Sequence, residues 1–380
     1  MLRHPRLRAL LAACGAGASW AAPAWAHLKW FESYDVSLKP VPIVDTLSLP
    51  AFWLAMGLVL AALLAMTIAE RTRLGALATA LLDRLTASIR PRADRIIVCV
   101  LGAFFIALFA TGRTILTPEL LTRAAWVGWV QLGIAFCLFS RVLYPLSAAG
   151  IVGLCLYALA EYDLFHMLDY VTLGLGLASY LVLAGARGAR WHHRRFDVLR
   201  WGVASALMWS SLEKFSYPLW FVPLLEKKPY LALGMPFPIF TTMSGVAEFT
   251  LAFGLLWSPL IRRLSALTLF ALMLSAVYPF GRVDIIGHAT ILASLLLFAA
   301  GSGEAPSDAA PLGRALLTVP CALFASLVAL MLFQVGVHDF IYHDDSPAWL
   351  TPRSSDEIKP GAMLPPHAHL FDNESDGDDD

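Results

Sequence analysis

The chain has 380 residues, of which 58% are hydrophobic and 15% charged, with a mean hydropathy of +0.66. That balance leaves too little polar surface to coat a water-soluble globule, so the composition predicts a polytopic membrane protein. The 28 basic and 28 acidic residues cancel, which removes any basic excess for nucleic acid and leaves the information in where the charges sit.

At the N-terminus, Arg3, Arg6 and Arg8 precede a small, apolar stretch from Ala9 to Ala22, and Ala24-Trp25-Ala26 supplies small residues where a signal peptidase reads. Residues 1–26 read as a secretory signal, and His27 becomes the first residue of the mature chain. Residues 27–93 then hold an outward segment, a leading helix and a cytoplasmic loop. In that segment Trp30, Phe31 and Tyr34 suit the membrane interface.

Ten apolar stretches of bilayer-spanning length follow, near 48–69, 96–112, 124–140, 142–160, 169–186, 198–214, 237–257, 264–280, 284–301 and 314–336. Arginines mark alternate connections: Arg71 to Arg95, Arg141, Arg187 to Arg195, Arg262 with Arg263, and Arg314. These are the cytoplasmic loops under the positive-inside rule. Glu32, Asp35, Glu161, Asp163, Glu226 and the acidic tail at 337–380 fall on the opposite side, so both mature termini face outward from a bacterial-type inner membrane. Cys99, Cys137, Cys155 and Cys321 each sit inside an apolar run with no Cys-x-x-Cys pair, which reads as structural thiols.

The middle of the chain repeats itself. "DRIIVCVLGAFFIALFATGRTILTP", "WVQLGIAFCLFSRVLYPLSAAGIVGL" and "DYVTLGLGLASYLVLAG" are followed by "DVLRWGVASALMWSSLEKFSYP", "GVAEFTLAFGLLWSPLIRRLSALTLF" and "IIGHATILASLLLFAAG". A basic residue stands before a proline in each copy, Arg113 with Pro118 and Lys214 with Pro218, and Gln131 stands where Glu248 does. The expected architecture is therefore all-α: a polytopic bundle of about ten transmembrane helices, with tandem four-helix units at 94–196 and 197–302 and a closing helix at 303–336.

Residues 197–301 resemble the DoxX family of four-helix membrane proteins. The resemblance is carried by "SSLEKFSYP", by "GVAEFTLAFGLLWSPLIRRLSAL" and by the apolar pair of helices that follows. Residues 94–186 repeat it in degenerate form. The sequence departs from the family pattern in having Glu213 before the lysine and a long outer loop from Ser216 to Pro236. The resemblance implies a redox-associated subunit engaging a quinone or a sulfur or thiol compound, with a soluble or membrane redox partner. Fold-level likeness does not by itself transfer a reaction.

Glu248 is the most informative position, because a carboxyl in the middle of an apolar helix requires a partner, a proton or an interior face. Lys214 is its expected partner, with Glu213 beside it. The pair reads either as a proton-handling or quinone-anchoring site or as a structural clamp between helices. Asp284 and His288, four apart, share a helical face, and the carboxylate can orient the ring. Lys214, Glu213, Glu248, Asp284 and His288 are thus the candidate catalytic residues.

The outward histidines raise a second possibility. His27 offers an amine and an imidazole, and with His166, His338 or His343 would form a nitrogen-rich site suited to copper. The bland alternative is a cleavage site that happens to precede histidine. A small-molecule transporter is the third reading, on the repeat alone. No Walker loop, Gly-x-Gly-x-x-Gly turn or Gly-x-Ser-x-Gly elbow is present, which disfavours an ATPase, a nicotinamide enzyme and a hydrolase.

Overall fold

A computed structural model of the chain describes residues 38–186, 188–303 and 311–342, and they are almost wholly helical. The proposed signal peptide, His27, His343 and the acidic tail lie outside the described residues. Short helix α1 (Ile43–Ser48) leads into α2 (Pro50–Ala69), where Pro50 sets the helical φ at the first position. Trp53, Leu54 and Leu58 of α2 remain exposed. Large apolar side chains on the outside and Arg263, Asp284, His288 and Gln334 fully buried inside are the inverse of a soluble protein's arrangement.

The basic connection after α2 holds a helix that the sequence reading did not anticipate. This is α3 (Arg73–Thr86), started by Thr72, whose hydroxyl accepts from Leu74 N at 3.2 Å. Leu74, Leu77 and Leu81 form an exposed stripe at i, i+3 and i+7. An apolar stripe on a short basic helix suits the plane of the membrane surface.

Four helices follow: α4 (Ala93–Thr111), α5 (Trp126–Cys137), α6 (Tyr144–Glu161) and α7 (Leu164–Gly185). A two-stranded antiparallel hairpin, β1 (Thr114–Ile115) and β2 (Thr117–Leu121), joins α4 to α5. At 12 residues α5 rises about 18 Å, less than a hydrocarbon core of roughly 30 Å. The hairpin packs on α5, where Gln131 donates to Thr114 O at 2.9 Å to hold it.

After the five-residue α8 (Ala189–His193) come α9 (Arg195–Ser216), a loop containing α10 (Val222–Lys227), α11 (Phe237–Gly254), α12 (Pro259–Ala299) and α13 (Leu312–Tyr342). The 41 residues of α12 would measure about 60 Å if straight. Gly281 breaks the run with φ 71° and ψ −152°, a conformation confined to glycine. Arg263 Nε nevertheless donates to Ala299 O at 2.9 Å, across 36 residues. The two arms therefore fold back on each other, which recovers the two separate stretches read from the sequence. Lys228 donates to the Pro279 carbonyl at 2.6 Å at the bend.

Helices α7 and α9 pack backbone against backbone. A Cβ on Gly202 would lie 2.6 Å from Gly176 Cα, and one on Gly176 would lie 2.8 Å from Gly202 Cα. Small residues at such a crossing give helices in lipid the close packing that the hydrophobic effect does not supply there. Across the bundle α12 packs on α4.

Ion pairs tie one end of the bundle together. Arg263, fully buried, reaches Asp83 at 2.8 Å, Arg90 reaches Asp83 at 2.6 Å, and Arg195 reaches Asp94 at 2.8 Å. Burial pushes the Asp83 carboxyl up, but hydrogen bonds from Arg263 and Arg90 and their charges outweigh it and hold it below the usual aspartate value. Each apolar stretch read from the sequence is helical. Among the described residues six helices are long and apolar enough to cross a membrane: Pro50–Ala69, Arg90–Thr111, Arg141–Glu161, Leu164–Gly185, Pro259–Ala299 and Leu312–Tyr342.

Candidate functional site

The Lys214–Glu248 contact is built from a glycine. A Cβ on Gly245 would sit 2.8 Å from Ser211 O and 3.1 Å from Lys214 Cβ, so its absence lets α11 approach α9 at that level. Glu248 is three residues further along α11, on the same face, and its carboxylate pairs with the Lys214 ammonium. The lysine side chain is 5% exposed and that of the glutamate 18%, so the pair sits inside the bundle with one edge open.

His288 and Asp284, on the second arm of α12, are both fully buried. His288 Nδ1 lies 3.2 Å from Asp284 Oδ1 and 3.1 Å from the Asp284 backbone carbonyl. Neither Asp284 carboxylate oxygen accepts a hydrogen bond within the described residues. His288 is close enough to act electrostatically on Glu248. The structure thus brings Lys214, Glu248, His288 and Asp284 into one neighbourhood. Glu213 is also buried, and it acts electrostatically both on Lys214 and on Tyr217, the residue that ends α9.

The histidines nominated for a metal are placed differently. His166 is buried on the first turn of α7, where its backbone N–H donates to the capping Asp163 at 2.8 Å and its ring Nε2 lies 3.4 Å from Glu119 Oε1. His338 is buried among aromatic rings, with centroids 5.2 Å from Phe165, 5.4 Å from Tyr217 and 4.7 Å from Tyr342. Among the described residues no group of three histidine, cysteine or carboxylate side chains is arranged to hold a metal ion. The cysteines are free there, with Cys99 and Cys321 exposed and Cys155 buried.

Three polar residues of the first helical group escaped the sequence reading. Glu119 of β2 is buried, faces His166 and accepts a hydrogen bond from the Tyr170 hydroxyl. Asp169, next to Tyr170 on α7, is 2% exposed. A signal for it was present: Asp169 stands nine residues before Ala178-Ser179, and Asp284 stands nine residues before Ala293-Ser294. Arg113, matched to Lys214 in the sequence, is instead exposed in the bend between α4 and β1, at φ 63°. Gln131 is fully buried on the hairpin backbone rather than on a cation.

A cavity of about 40 Å³ lies where the two helical groups meet. Thr117, Asp169 and Tyr170 face it from one side, Gly287 and Thr290 from the other, with Phe105 of α4 between them. That is room for one or more water molecules, beside polar groups able to hold them. No protein-family model, curated protein or solved structure matches the chain.

Proposed function

We propose that this chain is a DoxX-like integral membrane protein of two tandem four-helix units, acting as a redox-associated subunit that engages a quinone or a sulfur or thiol compound. The observation that supports it is the Lys214–Glu248 pair, buried between α9 and α11 with His288 and Asp284 behind it. Four ionisable groups inside an apolar bundle are costly unless they pair, take up a proton or engage a ligand, and such groups commonly mark functional sites. The donor set suits a quinone: Lys214 would donate a hydrogen bond to a carbonyl oxygen, and Glu248 with His288 would hold or pass the proton that accompanies reduction. A bound quinone would supply the two-electron chemistry, and a partner protein the electrons.

In this reading the chain loses residues 1–26 on export and lies in a bacterial-type inner membrane. The arginine-rich end, with Arg90, Arg195 and Arg263, is cytoplasmic, and the hairpin end faces outward. The whole-chain arrangement is ten spans, with the two arms of α12 counted separately and α5, α9 and α11 included. Each of those three is flanked by partner helices that would shield its polar residues.

The test is quinone binding by the purified protein in lipid nanodiscs, followed through quenching of its tryptophans by a short-chain ubiquinone, with thiosulfate and glutathione titrated in parallel. Glu248→Gln and Lys214→Met are expected to weaken binding at least tenfold while leaving the protein assembled. Absence of binding by the wild type to all three probes, or equal binding in both variants, would remove the reading.

A further inference from the structure

We propose that the groove between the start of α6 and the end of α7 binds the phosphate of an anionic phospholipid, held by Arg141 and His192. The site goes beyond the function proposed above and stands whatever the Lys214–Glu248 pair engages.

The groove is open and has a volume of about 630 Å³. The turn Arg141–Leu143 that leads into α6 supplies Arg141 and Val142, and α6 itself Pro145. The end of α7 supplies Ala184, Gly185 and Ala186, and α8 supplies His192. A Cβ on Gly185 would lie 3.1 Å from Arg141 O and 3.5 Å from Tyr144 Cβ, so the end of α7 meets the start of α6 through bare backbone. Since α7 contributes only alanine and glycine, no long side chain from it fills the groove. Arg195 fixes the other contributor by donating to His192 O at 2.8 Å.

The charge of the groove is positive and unspent. Several arginines at this end are neutralised internally: Arg90 and Arg263 by Asp83, Arg195 by Asp94, and Arg200 by Asp197. Arg141 is exposed, has the Tyr144 hydroxyl within hydrogen-bonding reach, and pairs with no carboxylate among the described residues. Asp94, the carboxylate near Tyr144, is occupied, accepting from Arg195 at 2.8 and 3.3 Å and from Tyr180 at 2.8 Å. A guanidinium presents a planar fork that matches two phosphate oxygens. The imidazole of His192 has an N–H to add in either protonation state.

The depth of the groove selects a lipid over a soluble phosphate. Arg141 and Gly185 are end residues of two membrane-crossing stretches, Arg141–Glu161 and Leu164–Gly185, which puts the groove at headgroup level. Leu146 stands one turn further into the membrane than Val142, and Val182 one turn further than Ala186, each on the same helical face. Both are exposed, so a phosphate at Arg141 would lay its acyl chains along apolar side chains. Basic pockets between membrane helices bind acidic headgroups in this way.

The test is native mass spectrometry of the protein released from nanodiscs of phosphatidylethanolamine doped with phosphatidylglycerol. Wild type should retain phosphatidylglycerol in excess of its share of the bilayer. One cation at an anionic membrane surface is worth about a fivefold change in affinity, so Arg141→Gln should cut that retention about fivefold and leave phosphatidylethanolamine unchanged. Ala186→Phe keeps every charge and fills the groove, and it should cut retention too, including where Arg141→Gln fails to fold. Arg92→Gln removes an exposed arginine at the same end but outside the groove, where it donates to Ser88 O at 2.7 Å, and should retain lipid as wild type does. No enrichment in wild type, or unchanged retention in Ala186→Phe, would overturn the proposal. An equal loss in Arg92→Gln would also overturn it, because diffuse charge would then account for the binding. Displacement of the lipid by inorganic phosphate would assign the groove to a soluble anion instead.

Discussion

Replacing Lys214 by methionine strands the Glu248 carboxylate inside the bundle. Removing one partner of a buried ion pair costs about 3–5 kcal/mol. Because 18% of the Glu248 side chain reaches the surface, the loss falls near the lower end, about 3 kcal/mol. Glu248→Leu strands a lysine that is only 5% exposed, and the expected cost is about 4 kcal/mol. The double variant Lys214→Met/Glu248→Leu replaces two charges by apolar side chains of similar volume, and its stability should return to within about 1 kcal/mol of wild type. The double-mutant cycle then gives a coupling energy of about 6 kcal/mol or more, the two single costs together less what remains in the double variant. The assay is reversible denaturation in mixed micelles followed by circular dichroism. Single effects that simply add, to within about 0.5 kcal/mol, would refute the argument that the two groups are buried as a pair. The same double variant separates architecture from chemistry. If it is stable and binds no quinone, the pair does more than hold α9 to α11; if it binds as wild type does, the pair is a clamp.

Two further perturbations probe the frame around the site. Gly202→Ala drives a Cβ to 2.6 Å from Gly176 Cα and 2.9 Å from Thr172 O, both backbone atoms with no rotamer to yield. Overpacking costs about 1–3 kcal/mol, and neighbours that are backbone put this case at the upper end, so after about 1 kcal/mol gained in helix propensity a net loss of about 2 kcal/mol is expected in the same denaturation assay. A variant as stable as wild type would show that the two backbones do not touch. Asp83, held below the usual aspartate value by Arg263 and Arg90, adds stability that is full above the unfolded pKa near 4 and is lost as the pH falls through its lower folded value. With the side chain 43% exposed, solvent screening limits the gain to under about 1 kcal/mol. Thermal melts from about pH 5 to pH 3 should show a steeper loss in wild type than in Asp83→Asn, and parallel profiles would contradict the assignment.

The sequence was most informative where hydropathy alone decides. Long apolar runs such as 48–69 and 142–160 became α2 and α6, because a helix pairs the backbone groups of such a segment within the segment itself. The Lys214–Glu248 pair was legible for the same reason, since a charge in such a run demands a partner. The hairpin was not legible, because "TPELL" is five residues with no period long enough to read, and Glu119 disappeared with it. The helix within the basic connection was hidden by its arginines, although its leucines recur at helical spacing. Asp169 was readable in principle, through its register with Asp284, but the hairpin carboxylate bonded to its neighbour Tyr170 comes from 51 residues earlier in the chain. Pairing Arg113 with Lys214 failed for a local reason: a residue at φ 63° in the bend from α4 into β1 points where that bend dictates rather than where the repeat would place it.

The contact of Gly176 with Gly202 has a mechanical corollary. Interdigitated side chains resist rotation of one helix on another because each knob must climb out of its hole, but two bare backbones meeting at a point present no such teeth. At that crossing a swivel meets less steric resistance than a slide would, while the shared hold of Tyr180 and Arg195 on Asp94 anchors the arginine-rich end of the two helices. Asp169 on α7 and Lys214 on α9 both lie on the hairpin side of the crossing, so a few degrees of swivel would alter their separation while the crossing itself stays still.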